Sequence, residues 1–395
     1  MKKNIEPLLG TLQSIDFKGE MLYYYKHISA LQEALHQQIP KENFNTARAA
    51  VSTDIREEVF QGKNYNRAVM YLLSNGCQWA LKNGNGCTMC GHLAKQTRQS
   101  KRITAEEFIQ QFRMELKKID FSQYPLLNLY NNGSILNEEE IPPEALKEIL
   151  KMINRQHNIK MLVLETRPEF VSEKKIKEIK HLVPDKHVEI AVGLEIKDDL
   201  LRTVCINKGF SLNQYQRAAD IITRYLNLRT YVLLKPPFLT EKEAVDNAVE
   251  TIKYAFAMGS NTVSLEACTI QDYTLVKYLA DNGLYKTPWL WSILEVIKGA
   301  AGHGKLVIGL FQFFPSPLKV PYNCHRCSSA FMETTRQYNR TLDVGIFDRL
   351  TCRCKTQWEK EIKKEHPTFQ ERLKNILCQL PTLKTGGQPT AGESS

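Results

Sequence analysis

An alternation of strand and helix patterns runs from about residue 67 to residue 267 and most constrains the fold of this chain. Six apolar runs have the length of buried strands, and the segments between them carry apolar residues at helical spacing. The strand patterns cover 68–73, 126–130, 161–165, 188–195, 229–235 and 262–267, and the helix patterns cover 105–119, 142–152, 173–181, 212–225 and 241–257. Such repeats indicate parallel strands joined by right-handed helical crossovers.

These repeats predict the α/β class and a partial (β/α)6 barrel of the TIM type. An open doubly wound sheet is the alternative, because the pattern alone does not separate the two. We expect four regions: 1–64 as an N-terminal helical extension, 65–315 as the barrel, 316–384 as a basic C-terminal module and 385–395 as a disordered tail.

Ten cysteines are unusual for a chain with no recognisable export signal. The basic N-terminus is not followed by an apolar core, and no apolar run is long enough to cross a bilayer. We therefore expect a cytoplasmic protein without membrane association, in which disulfides explain the cysteines poorly.

The net charge of +10 is concentrated in two segments. Residues 82–118 hold eight basic and three acidic residues, and residues 349–384 hold nine basic and four acidic residues. Clustered positive charge favours a polyanion such as nucleic acid as the partner. Two solvated helix faces explain the same pattern equally well.

The first group of cysteines is Cys77, Cys87 and Cys90, in the pattern C-x9-C-x2-C after the first predicted strand. Three thiolates in a glycine-rich loop can ligate three irons of a 4Fe–4S cluster and leave the fourth iron open. That open position can chelate and reduce S-adenosylmethionine. A zinc site completed by His92 is the alternative.

These cysteines resemble the radical S-adenosylmethionine superfamily, in the Elongator/MiaB-like branch. Further blocks resemble the radical subunits of archaeosine synthase, which act on tRNA. The blocks occur in that family's order at 86–91, 130–134, 164–169, 193–195, 207–210 and 233–240. The resemblance departs from the superfamily at Met89, where an aromatic residue that packs on adenine is common.

The resemblance implies cofactor-binding roles for residues at the predicted strand ends. Asn132, Gly133 and Ser134 would approach the amino group of S-adenosylmethionine. Glu165 and Glu195 would bind its amino acid or ribose, since a carboxylate accepts hydrogen bonds from either, and Lys208 would bind its carboxylate. The structural alternative for Glu165 is an ion pair with Arg167 or Arg229. For Lys208, a purely structural role is as well supported as binding of the cofactor carboxylate.

The second group of cysteines has the pattern C-x2-C-x24-C-x-C and is typical of a structural zinc site. Disulfides and a second iron–sulfur cluster are the alternatives. Basic residues around this group predict a surface for tRNA phosphates. The ligands of the group are Cys324, Cys327, Cys352 and Cys354, and we expect the remaining cysteines, Cys205, Cys268 and Cys378, to be packing residues.

The resemblance implies a carbon–nitrogen lyase that cleaves a lysine adduct on a tRNA 7-deazaguanine through a 5′-deoxyadenosyl radical and leaves archaeosine. It also implies a subunit that transfers the lysine and an external electron donor. The target nucleotide would have to be unstacked to enter a barrel. A radical enzyme with another RNA base or a small molecule as substrate, and a non-enzymatic zinc and RNA-binding protein, are the alternatives.

Overall fold

The computed structural model describes residues 19–40, 50–83, 85–92, 102–313 and 315–380. The predicted disordered tail lies outside these residues. Among them, no helix is long and apolar enough to cross a membrane.

Eight strands form one sheet, and eleven α-helices of seven or more residues accompany it in the described part of the chain. The strands are β1 Ala50–Phe60, β2 Lys63–Leu72, β3 Leu126–Tyr130, β4 Met161–Thr166, β5 His187–Glu195, β6 Asn227–Leu234, β7 Ser260–Ala267 and β8 Lys305–Ile308. The helices are α1 Glu20–Gln37, α2 Ala105–Leu116, α3 Pro143–Asn154, α4 Glu173–Leu182, α5 Leu212–Thr223, α6 Glu241–Ala257, α7 Leu275–Asp281, α8 Leu290–Ala300, α9 Ser328–Thr341, α10 Cys354–Lys363 and α11 Phe369–Gln379.

The strand order settles the choice between a barrel and a doubly wound sheet. The strands lie in the order β1 to β8, and β2 to β8 are all parallel. A doubly wound sheet reverses its order at a switch point, which places helices on both faces. A sheet that never reverses keeps its right-handed crossovers on one face and curls around the other. The fold is therefore the predicted partial barrel, extended by a seventh parallel strand, β8.

Helix caps and apolar periodicity explain the helices of the barrel. Thr104 and Glu107 form a reciprocal capping box at the start of α2, as the sequence predicts. The same device starts α6, where Thr240 and Glu243 cap each other. The apolar faces of these helices pack against the outer side of the sheet and form two large clusters of buried side chains.

The N-terminal extension, which the sequence predicts as mainly helical, also contains a strand at residues 50–60. The structure confirms a helix at α1, but β1 pairs antiparallel with β2. Gln61 and Gly62 join the two strands, and both have positive φ, as a type I′ hairpin turn requires. The sequence conceals β1 because its inward side chains include charged residues: Glu58 is buried in ion pairs with Arg67 and Arg229.

Helix α9 lies against both edge strands of the sheet, β1 and β8. The Asn339 side chain accepts a hydrogen bond from the Ile308 N–H and donates one to the Ile308 carbonyl, each at 2.8 Å. The guanidinium of the next residue, Arg340, binds both carboxylate oxygens of Glu57, at 2.5–2.8 Å. The C-terminal module therefore bridges the open side of the barrel.

Candidate active site

The three cysteines of the first group line one cavity at the carboxyl end of the parallel strands. The cavity has a volume of about 280 Å³. Its wall includes most of the predicted cofactor-binding residues, together with Met89 and His92. The predicted residues in the wall are Cys77, Cys87, Cys90, Asn132, Gly133, Glu165, Glu195 and Lys208.

Three distant segments hold the cysteine loop in place. The Gly86 carbonyl accepts hydrogen bonds from the Gln32 side chain of α1 at 2.9 Å and from the Asn207 side chain at 2.7 Å. The Thr88 side chain donates to the Cys205 carbonyl at 2.6 Å. The Gly91 N–H donates to the Gln271 side chain at 2.7 Å, just beyond β7. These bonds fix the loop over the barrel mouth.

Burial keeps the three thiols protonated in the absence of a metal. It raises the pKa of Cys77 to about 12 and the pKa of Cys87 to about 11, and it also raises the pKa of Cys90. The positive charges of Lys208 and Arg167 oppose this rise at Cys87. Three thiols beside two cations in one cavity fit the ligand set of an anionic iron–sulfur cluster, because iron favours the thiolate form.

The geometry does not favour the alternative zinc site at His92. Within the described ranges, the C-terminal cysteines are the group whose ligand atoms all lie within 4.8 Å of one another. Cys77, Cys87, Cys90 and His92 line the same wall but do not form such a group. A single tetrahedral ion needs ligand atoms about 3.8 Å apart, since each lies about 2.3 Å from the metal. A cluster of several irons spans a larger distance.

Lys208 and Glu195 form an ion pair at 2.7 Å inside the cavity. The positive charge of Lys208 is stabilised despite burial, because Glu195 and Cys87 raise its pKa. Gly193 makes room for this pair, since a Cβ there would lie 2.4 Å from Glu195 Oε1 and 2.8 Å from Lys208 Nζ. A ligand in the cavity can therefore accept a hydrogen bond from the Lys208 ammonium and donate one to the Glu195 carboxylate.

The loop after β3 is held by a buried carboxylate that the sequence analysis did not identify. Glu140 accepts hydrogen bonds from the Ser134 N–H at 2.6 Å and the Gln78 N–H at 3.0 Å. A Cβ on Gly133 would lie 2.0 Å from Glu140 Oε2, so only glycine fits there. Ser134 is fully buried, outside the cavity wall, and its Oγ accepts from the Arg167 N–H at 3.1 Å. The Ser134 side chain thus connects the loop after β3 to the residue that follows β4.

Glu165 is not paired with either arginine named as its structural alternative. Arg167 binds Glu169 at 2.5 Å and stacks on the Trp79 ring at 4.9 Å, and Arg229 binds Glu58 and Glu189. Burial raises the pKa of Glu165 to about 7. A carboxylate in this state can accept a hydrogen bond or a cation from a bound ligand.

The cavity wall also contains residues that the sequence analysis did not predict as site residues. Tyr130 and Tyr231 share a hydroxyl–hydroxyl hydrogen bond of 2.9 Å. The Arg56 guanidinium donates to the Tyr71 hydroxyl and to the Gln312 carbonyl. Glu266 lies near the end of β7, inside a predicted strand, whereas Arg56 lies on β1, which the sequence analysis did not recognise. Lys235, a further strand-end residue, pairs with Glu241 at 2.5 Å outside the cavity wall.

The second group of cysteines forms a compact site in the C-terminal module. Cys324 Sγ lies 3.6 Å from the sulfurs of Cys327 and Cys352, and Cys327 Sγ lies 3.5 Å from that of Cys354. All four are free thiols, which excludes the disulfide alternative in this structure. Their spacing approaches that of four ligands around one tetrahedral ion, so the group could bind a metal.

The three remaining cysteines do not behave alike. Cys205 and Cys268 are buried, as packing residues are, and Cys268 also borders the cavity. Cys378 is exposed on α11, so the prediction that it packs in the core is wrong.

The curled parallel sheet, its carboxyl-end cavity and the loop of three cysteines define a partial α/β barrel with a cysteine site at its mouth. No protein-family model matches the chain. The chain is 31% identical over 314 residues to archaeosine synthase subunit beta of Methanosarcina acetivorans, covering 79% of this chain and 89% of the relative. The protein of the same name from Thermococcus kodakarensis is 29% identical over 311 residues, covering 77% and 94%. The chain belongs to the archaeosine synthase subunit beta family.

Two solved structures resemble the chain in part. Methylornithine synthase aligns with a TM-score of 0.45 and 13% identity, covering 78% of this chain and 75% of that one. The Elp3 protein of Methanocaldococcus infernus, with an N-terminal deletion, aligns with a TM-score of 0.43 and 16% identity, covering 58% of each chain.

Proposed function

We propose that this protein is a radical S-adenosylmethionine lyase that cleaves the carbon–nitrogen bond of a lysine adduct on a tRNA 7-deazaguanine and leaves archaeosine. The observation that carries the proposal is the three-cysteine cavity at the barrel mouth in a member of this family. Cys77, Cys87 and Cys90 would hold a 4Fe–4S cluster, and the chemistry that it would supply is one-electron reductive cleavage of S-adenosylmethionine, the source of the 5′-deoxyadenosyl radical in the proposed reaction.

The chain's own residues would bind and orient the cofactor. Cys77, Cys87 and Cys90 would hold the cluster. Lys208 would bind the cofactor carboxylate, and Glu195, as its ion-pair partner, would keep that ammonium in position and accept from a hydroxyl or amino group. Glu165 would act as a further acceptor on the neighbouring strand.

The loop after β3 would contribute mainly through its backbone. Asn132 has a φ of 58°, an uncommon value for a residue other than glycine, and Gly133 follows it at the cavity wall. We infer that these two residues turn the backbone toward the cofactor amino group. Ser134 would support the loop without touching the cofactor, which revises the role expected from the sequence.

The C-terminal module would hold zinc and contact tRNA. Four thiolates leave no open position on a tetrahedral ion, so the metal would be structural. Arg326, Arg353 and Lys355 lie beside the ligands and would contact phosphates. A separate subunit would supply the lysine adduct, an external donor would supply the electron, and a cytoplasmic location would keep the thiols reduced.

The first test is metal content and cofactor cleavage. Protein purified without oxygen should contain about four irons and one zinc per chain. Incubation with a reductant, S-adenosylmethionine and lysine-adducted tRNA should yield deoxyadenosine. Cys87→Ala should abolish deoxyadenosine and lower the iron content, while Cys378→Ala, on the exposed surface, should change neither.

Each result separates the proposal from its alternatives. Two zinc ions and no iron would identify a non-enzymatic zinc protein. Iron with no deoxyadenosine from the adducted tRNA would retain the radical enzyme and remove the archaeosine reaction. Deoxyadenosine formation by Cys87→Ala would contradict the cluster assignment.

A further inference from the structure

One cavity carboxylate, Glu266 at the end of β7, has no role in the proposed cofactor site. Ser264 Oγ donates a hydrogen bond to it at 3.1 Å. Among the described residues, no lysine, arginine or histidine is recorded in an ion pair with Glu266. Glu58 and Glu195 of the same wall are in ion pairs, with Arg229 and Lys208. Glu165, which is assigned above to the cofactor, is the other wall glutamate for which the described residues show no ion pair.

The backbone of the neighbouring strand is shaped around this carboxylate. A Cβ on Gly309 would lie 1.9 Å from Glu266 Oε2, so the carboxylate rests where any larger residue would place a side chain. The Gly309 N–H donates to the Leu265 carbonyl at 2.9 Å, which fixes the backbone beneath it. Glu266 is therefore held on the β8 side of the cavity.

Arg56 and Arg67 line the same cavity and act on Glu266 electrostatically, but neither forms an ion pair with it among the described residues. A cavity carboxylate without an ion-pair partner is costly, and a cationic ligand in direct contact would offset that cost. A metal ion is a poor candidate here. Within the described part of the chain, Glu266 does not belong to any group of three potential ligands within 4.8 Å of one another. An ammonium group needs only one carboxylate and a few acceptors. The rings of Tyr71, Tyr130 and Tyr231 line the same cavity and can pack against an alkyl chain that carries such a group.

We propose that Glu266, seated over Gly309, is the subsite for a primary ammonium group of the substrate. The identity of that substrate rests on the proposed function, because an adducted lysine carries a free amino group at its far end. The subsite would hold the alkyl chain in a fixed position relative to the cysteine side of the cavity. It would also select substrates with a free amine.

The turnover test uses the cluster-loaded protein and two tRNA substrates. One carries the lysine adduct, and the other carries 6-aminohexanoate in place of lysine and so lacks the second amine. The unmodified protein should have a KM at least about tenfold lower for the lysine adduct. Glu266→Gln should raise that KM about tenfold or more and leave the KM for the amine-free adduct unchanged.

Two further variants separate binding from folding. Gly309→Ala keeps the charge but displaces the carboxylate, so it should reproduce the loss of selectivity in part. Glu250→Gln removes an exposed glutamate on α6, paired with Lys197, and should have no effect. Affinity for S-adenosylmethionine should be the same in all variants. Selectivity for the lysine adduct in Glu266→Gln equal to that of the unmodified protein would overturn the proposal.

A binding measurement makes the subsite testable even if neither tRNA is consumed. In that case the proposed reaction is wrong, and L-lysine is titrated into the loaded protein and observed by saturation-transfer NMR. We expect lysine to bind the unmodified protein, with affinity reduced about tenfold or more in Glu266→Gln. Equal binding to both proteins would contradict the ammonium subsite.

Discussion

At the scale of single residues, strained backbone marks the functional end of the sheet. Asn132, Glu195 and Lys235 follow or end three parallel strands, and all have φ between 57° and 64°. Residues with a Cβ rarely adopt this conformation, which costs about 1–3 kcal/mol. The positive φ changes the direction of the backbone at the strand ends. Asn132 and Glu195 border the cavity. The sequence analysis placed Asn132 and Glu195 at predicted strand ends, but the positive φ of all three residues is seen only in the structure.

Gly209 should be the most sensitive glycine of the site. Its φ is 73°, and a Cβ would lie 2.0 Å from the Trp79 ring. Gly283 has the same φ with open space around it and serves as the control. We expect Gly283→Ala to lower the free energy of unfolding by about 1 kcal/mol, and Gly209→Ala to lower it by about 2 kcal/mol more. Urea titration measures both, and equal losses would show that Trp79 moves aside freely.

Glu165 should make the metal-free protein less stable as the pH rises. Its pKa is about 7 in the folded chain against 4.5 as the ordinary value, so the folded state keeps a proton that the unfolded state loses. Stability therefore falls between about pH 4.5 and pH 7. Relative to the unmodified protein, Glu165→Gln should be stabilised by about 1–3 kcal/mol more at pH 8 than at pH 5. Parallel pH profiles of the two unfolding free energies would contradict this prediction.

At the scale of elements, helix α1 is part of the site rather than an appendage. Its buried Gln32 donates to the Gly86 carbonyl, and Ser29 accepts from Asn85 in the same loop. Tyr25 donates to Asn207 at 2.9 Å, and Asn207 in turn donates to Gly86. The helical period of α1 was readable in the sequence. Its position over the cysteine loop was not, because no local pattern encodes a contact between residues more than fifty positions apart.

Loss of the contact from α1 should loosen the cysteine loop. Gln32→Ala removes a buried hydrogen bond and should lower the free energy of unfolding by about 1 kcal/mol. The loaded variant should also lose its iron faster in air, since the loop is less well held. Gln37→Ala, at the exposed end of the same helix, is the control. Iron release followed by absorbance measures the effect, and equal rates would show that α1 does not support the loop.

At the scale of the whole molecule, the C-terminal module completes the barrel. Cys327 precedes the first residue of α9, and the other end of that helix binds β8 through Asn339 and β1 through Arg340. A second connection leads inward, since Trp291 donates to Cys354 Sγ at 3.3 Å from the buried face of α8. The four-cysteine group and the open side of the barrel are therefore joined by one helix, α9.

Loss of the C-terminal metal should open the barrel on that side. Cys352→Ala should increase amide hydrogen exchange in α9, β8 and β1, because the start of α9 is no longer held. Exchange in β4 and β5, at the centre of the sheet, should change least. Cys378→Ala is the matched control, as this cysteine is exposed and lies outside the site. An equal increase throughout the sheet would indicate general unfolding rather than a local role.

The sequence by itself determined the six strand repeats, the approximate bounds of the five helices between them and the two cysteine groups. These features are encoded locally: apolar period, caps and ligand spacing each depend on residues close together in the chain. Even the edge strand β1 was missed for a local reason, since its buried charges interrupt the apolar alternation.

The tertiary structure alone decided the strand order, the bracing of the cysteine loop by α1 and the bridging of the barrel by α9. It also decided which strand-end carboxylates are paired: Glu195 binds Lys208, whereas Glu266 lies over Gly309 beside Ser264. These relations depend on how the sheet curls and which distant side chains it brings together. Local pattern therefore predicted the class of site, and only the packing of distant segments assembled the cavity.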